Sequence, residues 1–135
     1  MSTDELNQTT RAAMPFAGLL GVEIVSGSPE EVRARLPWDE SRCTAGGILH
    51  GGALMGLADC SGGLCAFLNL PAHATGTATI ESKTNFFRPV SQGHVEAVSR
   101  VLHQGRSTIV VETELRDHSG RLAGKVTQTQ AVLES

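Results

Sequence analysis

No apolar run in this 135-residue chain approaches the roughly 20 residues that a membrane-spanning helix needs. Basic charge is scarce too. Eleven Lys and Arg against fourteen Asp and Glu give a formal net charge of -3 and a pI near 5.9, without the positive field that nucleic-acid binders present. There are only three cysteines, an odd count that cannot close a disulfide framework, so Cys43, Cys60 and Cys65 read as free core thiols. Cys43, His50, Cys60, Cys65 and His73 show no paired ligand spacing, which argues against a zinc site. The glycines follow neither a phosphate-loop nor a dinucleotide spacing. Neither metal nor redox cofactor is expected. The acidic, polar start from Met1 to Gln8 lacks the character of a secretory signal, and a cytoplasmic location is the default expectation.

What is present suits one α+β domain over 1–135, with residues 1–15 as an N-terminal helical extension. Ser2 followed by Glu5 resembles a capping box, predicting a helix that runs to Met14 and is disturbed by Pro15. Phe16 to Leu20 is a second apolar patch leading to Gly21. Two short strands follow between Gly21 and Leu36, with Gly27-Ser28-Pro29 as their turn. Leu54, Leu57, Ala58, Leu64, Cys65 and Leu68 recur at helical spacing, predicting a buried helix from about Gly51 to Leu70, ended by Pro71. Thr75–Phe87, His94–His103, Ser107–Arg116 and Leu122–Leu133 read as strands forming antiparallel meanders. One long central helix on a curved antiparallel sheet is the expected packing.

The segment from Gly46 to Asp59 sets glycines, a histidine and an acid into this otherwise apolar helical stretch. A glycine in a helix interior costs about 1 kcal/mol against alanine, yet Gly51, Gly52, Gly56, Gly62 and Gly63 all occur here. Something is expected to approach that backbone closely. Unpaired N–H groups and the positive end of the dipole collect at a helix start, and Gly51 and Gly52 would let a ligand oxygen come near. That suits a carbonyl gaining negative charge. His50 and Asp59 are nine residues apart, roughly 900° of helical turn and so half a turn out of phase. A site using both is more easily made by two chains packed helix beside helix. The bland alternatives are helix packing for the glycines, capping for His50 and an exposed polar face for Asp59. Against the last, Leu57, Ala58, Cys60 and Gly62 leave little sign of a solvated face. Cys60 is poorly suited as a nucleophile, because an adjacent acid raises a thiol pKa.

His50-Gly51-Gly52 with Asp59, then Asn85-Phe86-Phe87-Arg88-Pro89-Val90, Gly93, His103-Gln104-Gly105-Arg106-Ser107 and Asp117-His118-Ser119-Gly120, resembles the hotdog-fold thioesterases of the phenylacetate-degradation (PaaI-like) family. The similarity runs from about Phe16 to Val132. It implies an acyl-CoA thioesterase that dimerises into a continuous sheet, commonly as a homotetramer of two dimers. By resemblance, Gly51 N–H polarises the thioester carbonyl, and Asp59 of the partner chain is nucleophile or general base. His50 positions the thioester, and Thr79 holds water or the carboxylate. One departure stands out: six residues before the histidine the family has Asn or Gln, and this chain has Thr44, whose hydroxyl has shorter reach than an amide.

Coenzyme A, as part of the substrate, carries several negative charges that an acidic protein must meet with local donors. The resemblance puts Gly52, Phe87, Arg88 and Pro89, and His103, Gly105, Arg106 and Ser107, along substrate and nucleotide; a turn arginine is also commonly just solvated. Leu54, Met55, Leu57 and Phe67 are candidates for an acyl pocket or for plain core. Two rival functions remain: a non-catalytic acyl-CoA binding module, favoured by Thr44, and a hotdog hydratase or dehydratase, which typically uses a different histidine loop.

Overall fold

The computed structural model describes residues 2–134, so Met1 and Ser135 of the expected 1–135 domain lie outside it. The Ser2 side chain accepts the Glu5 N–H at 3.1 Å and opens helix α1, Thr3–Ala13. Pro15 does more than end that helix. Its fixed φ and missing N–H suit a first helical position, and it begins a separate helix α2, Pro15–Leu20. Gly21 closes α2 in the left-handed conformation at φ 93°, while Arg42 Nε donates to the Leu20 carbonyl at 2.6 Å.

Strands β1 (Glu23–Gly27) and β2 (Val32–Pro37) pair antiparallel, so Gly27 belongs to the strand and the turn lies beyond it. Alternation is clear in β2, where Val32, Ala34 and Leu36 are buried between partly exposed arginines. A short 3-10 turn at Glu40–Arg42, which the sequence reading omitted, precedes the central helix α3, Gly51–Phe67. Gly46 and Gly47 lie outside that helix, at φ 84° and 72°, in the connection leading to it. Strands β3 (Gly76–Phe86), β4 (His94–Gln104), β5 (Thr108–Asp117) and β6 (Leu122–Leu133) complete the chain.

The sheet order is β1-β2-β4-β5-β6-β3, antiparallel throughout. Only β4-β5-β6 form the expected meander. β3 does not join it beside β4; it pairs with β6 from Gly76↔Leu133 to Phe86↔Gly124 and forms an edge of the sheet. The connection through α3 therefore carries the chain from one side of the sheet to the other. Leu57, Ala58, Cys65 and Ala66 of α3 are fully buried against Leu36, Ile109, Val111, Leu115 and Val126. This is the α+β hotdog architecture that the resemblance implies, and it sets Asp59 beside β3.

Candidate active site

Asp59 lies solvent-accessible on α3, against the expectation of an enclosed acid. Its position is nevertheless specified. Thr79 Oγ1 on β3 donates to Asp59 Oδ1 at 2.7 Å, and Gln128 Nε2 on β6 donates to the same oxygen at 3.1 Å. Gln130 Nε2 donates to Thr79 Oγ1 at 2.6 Å, and Thr77 Oγ1 donates to Gln130 Oε1 at 3.0 Å. Among the described residues no group donates to Asp59 Oδ2. One carboxylate oxygen is thus pinned and the other is available for chemistry.

Gln128 and Gln130, each 1% exposed, were absent from the sequence reading. Their signal was present in β6, where Val126, Gln128 and Gln130 share the buried parity. Two glutamines at core-facing positions call for polar partners, and Asp59 and Thr79 supply them.

Most of the helix glycines answer to internal packing. A Cβ on Gly62 would stand 2.1 Å from Gln128 Oε1, so the amide occupies that space. A Cβ on Gly56 would meet Leu20 at 2.9 Å and Phe16 at 3.2 Å, where α2 packs on α3. Gly63 is different: nothing lies within 4 Å of its would-be Cβ, and it lines a cavity of about 400 Å³ with Asp59, Phe67, Thr77 and Thr79.

At the helix start the two glycine amides differ. His50 is the N-cap, and its Nδ1 accepts the Gly52 N–H at 2.8 Å. This corrects the expectation that Gly52 N–H serves a ligand, because that donor is already satisfied. No acceptor among the described residues takes the Gly51 N–H. Gly51 lies under Phe86, whose Cζ would be 3.2 Å from a Cβ. It lines a groove with Thr44, Leu54, Phe87, Arg88 and Pro89. His50 and Gly52 border a neighbouring groove with Phe16 and Arg42.

The remaining predicted residues divide between two ends. The turn Gly105-Arg106-Ser107 joins β4 to β5, with Gly105 N–H donating to Thr108 O at 2.8 Å. Because Thr108 pairs with Ala131 and Gly76 with Leu133, this turn lies at the Gly76 end of β3, while His103, level with Glu81 through Val110 and Thr129, stands at the middle of that strand. Arg88 and Pro89 follow the Phe86 end, ten residues on and roughly 33 Å away in an extended strand. One chain does not bring them together. Leu57 is core, Leu54 lines the Gly51 groove, Phe67 lines the Asp59 cavity and Met55 is exposed.

The Asp117 motif is structural. Asp117 Oδ1 accepts the N–H groups of Ser119 at 2.9 Å and Arg121 at 3.0 Å, closing the β5–β6 turn. The Arg121 N–H, outweighing burial and joined by the Ser119 N–H, holds its carboxyl below the usual range. Burial, with a contribution from Asp59, pushes the Cys60 thiol up to about 11, and burial alone does the same for Cys65. Both therefore stay protonated, as expected of core thiols.

A family model described as the thioesterase superfamily matches residues 46–123, which include His50, Gly51, Asp59, Thr79, Arg88 and Arg106. A Saccharolobus solfataricus protein provisionally named an esterase is 32% identical over 116 residues, covering 86% of this chain and 81% of its own. Among solved structures, a Haemophilus influenzae thioesterase is 26% identical with a TM-score of 0.90, over 99% of this chain and 92% of that one. A variant of the phenylacetic acid degradation protein PaaI of Thermus thermophilus is also 26% identical, with a TM-score of 0.80, over 88% of this chain and 99% of that one.

Proposed function

Because the chain belongs to the thioesterase superfamily, we propose that this thioester hydrolase acts on acyl- or aryl-acyl-CoA, releasing the free acid and CoA. The observation that carries this reading is the Asp59 carboxylate, held at Oδ1 by Thr79 and Gln128 and open at Oδ2 beside a cavity.

The carbonyl is polarised by Gly51 N–H at the mouth of α3, where the helix dipole favours the developing oxyanion. Asp59 Oδ2 then acts in one of two ways. It attacks the carbonyl carbon, expelling the CoA thiolate and leaving an acyl anhydride that water hydrolyses. Alternatively it takes a proton from water, whose oxygen attacks the same carbon before the thiolate leaves. His50 is exposed, and with Nδ1 engaged by Gly52 N–H its Nε2 is the nitrogen left to meet the leaving group.

A single chain cannot complete this arrangement. Asp59 lies eight residues beyond Gly51 on α3, a rise of roughly 12 Å, with Asp59 tied to Thr79 near one end of β3 and Gly51 under Phe86 at the other. Antiparallel pairing of β3 with a second copy, about a two-fold near Ser82, carries Asp59 of the partner subunit toward Gly51. The same operation brings Arg106 and Ser107 of the partner subunit toward Arg88, forming a composite surface for the nucleotide. The exposed β3 edge, with Ile80 at 62% exposure, supports that pairing. We take the assembly to be a homodimer, doubled into a homotetramer, in the cytoplasm.

Thr44 favours a second reading. It lines the Gly51 groove where the family has an amide, and a site lacking that amide can bind acyl-CoA without turnover. An acyl-CoA panel with colorimetric thiol release, run on wild type and Asp59→Asn, separates the two. Release that Asp59→Asn abolishes supports hydrolysis; CoA binding without any release supports the binding module.

A further inference from the structure

The cavity beside Asp59 has a wall that the matched family segment does not contain. Thr9, Ala13 and Met14, from α1 and its C-cap, line it together with Asp59, Gly63 and Phe67. All three precede residue 46, where the thioesterase match begins. The helix carrying them is docked on β1, and Arg11 Nη2 donates to the Val22 carbonyl, just before that strand, at 3.3 Å. Leu6, 7% exposed, packs on Gly27, where a Cβ would come within 2.8 Å of Leu6 Cδ2. Asn7 supplies a polar clamp: its Oδ1 accepts the Ile24 N–H at 2.7 Å, and its Nδ2 donates to Ile24 O at 2.8 Å.

Since β1 is an edge strand, those two backbone groups have no neighbouring strand to bond. The Asn7 amide takes the place of one and thereby sets the rotation of α1. With Asn7 turned to β1, Thr10 and Met14, three and seven residues on, share the inward stripe. Thr10 is buried and Met14 half-buried, as this requires.

We propose that α1 is the specificity wall of the acyl pocket: residues 13 and 14 set the size of acyl group admitted, and Asn7 sets where the wall stands. The proposal rests on the thioesterase reading of the Asp59 site. The occupant is an apolar acyl group of medium length or with one ring. Ala13, Met14 and Phe67 give the apolar surface, and about 400 Å³ falls toward the lower end of the roughly 300–1,000 Å³ typical of small-molecule sites.

The test is kcat/KM across straight-chain acyl-CoAs from butyryl to dodecanoyl. Ala13→Phe should lower the decanoyl-to-butyryl ratio tenfold or more. Met14→Ala should move the optimum to longer chains, and as a truncation it keeps the test open should Ala13→Phe not fold. Asn7→Ala should flatten the length profile. A profile unmoved in all folded variants, or a loss equal at every length, overturns the wall. If wild type hydrolyses no thioester, the thioesterase reading fails separately, and the wall is judged by calorimetry with decanoate. Binding that Ala13→Phe, or Met14→Ala in its place, changes tenfold sustains it; unchanged binding, or none in wild type, overturns it.

Discussion

Gln130 Nε2 donates to Thr79 Oγ1 at 2.6 Å, which commits the Thr79 hydroxyl proton to Asp59 Oδ1 at 2.7 Å. The direction is set upstream, because Gln130 Oε1 accepts from Thr77. Three side chains thus form a one-way chain of donors ending on a single carboxylate oxygen. With Gln128 on the same atom, the carboxylate plane is fixed and Oδ2 is left for substrate or water.

Asp59→Asn should lower kcat by about 10²–10⁴, the range typical of a lost general base, with little change in melting temperature because the side chain is solvent-accessible. Thiol release under saturating acyl-CoA measures it. Undiminished hydrolysis would remove Asp59 from the mechanism.

Adjacent glycines should respond oppositely. Gly62→Ala puts a Cβ 2.1 Å from Gln128 Oε1, so the amide must move and its bond to Asp59 is lost. We expect kcat to fall about tenfold or more, in line with a bond to a charged group, together with a lower melting temperature. Gly63→Ala meets nothing within 4 Å and removes backbone freedom from the unfolded chain. It should stabilise by about 0.5–1 kcal/mol. Chemical denaturation of both variants, with kinetics on the first, decides the matter.

Ile80→Lys sets a charge on the exposed β3 edge. It should halve the mass seen by light scattering and reduce turnover more than a hundredfold, since Gly51 and Asp59 of the partner subunit are then left on separate molecules. Full activity in the half-mass species would rule out the shared site.

Asp117 gives the acid-side behaviour a definite sign. Its folded-state pKa lies below the unfolded value near 3.9, so its contribution is fully present above pH 4 and is lost as pH falls through the lower, folded value. Asp117→Asn should lower the urea midpoint at pH 7 and reduce the difference between wild type and variant at pH 3. A difference that persists unchanged at pH 3 contradicts this assignment.

Cys60 and Cys65 act at the other extreme. With thiols near 11 when folded against roughly 8.5 unfolded, their contribution is complete below about pH 8.5 and lost as pH rises toward 11. Alkylation of native protein at pH 8, read by mass spectrometry, should spare both until denaturant is added. Rapid native labelling of either would mean that it is not buried as described.

Local signals were strong where the physics is local. The Ser2 cap, the helical spacing from Leu54 to Cys65 and the alternation of β2 each express a short-range periodicity or hydrogen bond, and each was legible. Pro15 was legible as a break but not as a start, since a helix-initiating proline and a helix-ending one look alike without the turn that follows. The order of β3 was not legible at all. Its partner β6 lies across two intervening strands in the chain, and edge placement depends on how the crossover through α3 runs.

By itself the sequence determined the first and central helices, the six strands, the helix mouth at His50-Gly51-Gly52 and, through motif resemblance, the thioesterase family. Only the tertiary structure decided that Gly52 N–H is spent on His50, that Gly62 makes room for Gln128, and that α1 walls the cavity beside Asp59. Periodicity acts over a few residues, whereas Gln128 reaches Asp59 across 69 positions. Such contacts exist only once the sheet has brought its edge strand to the helix.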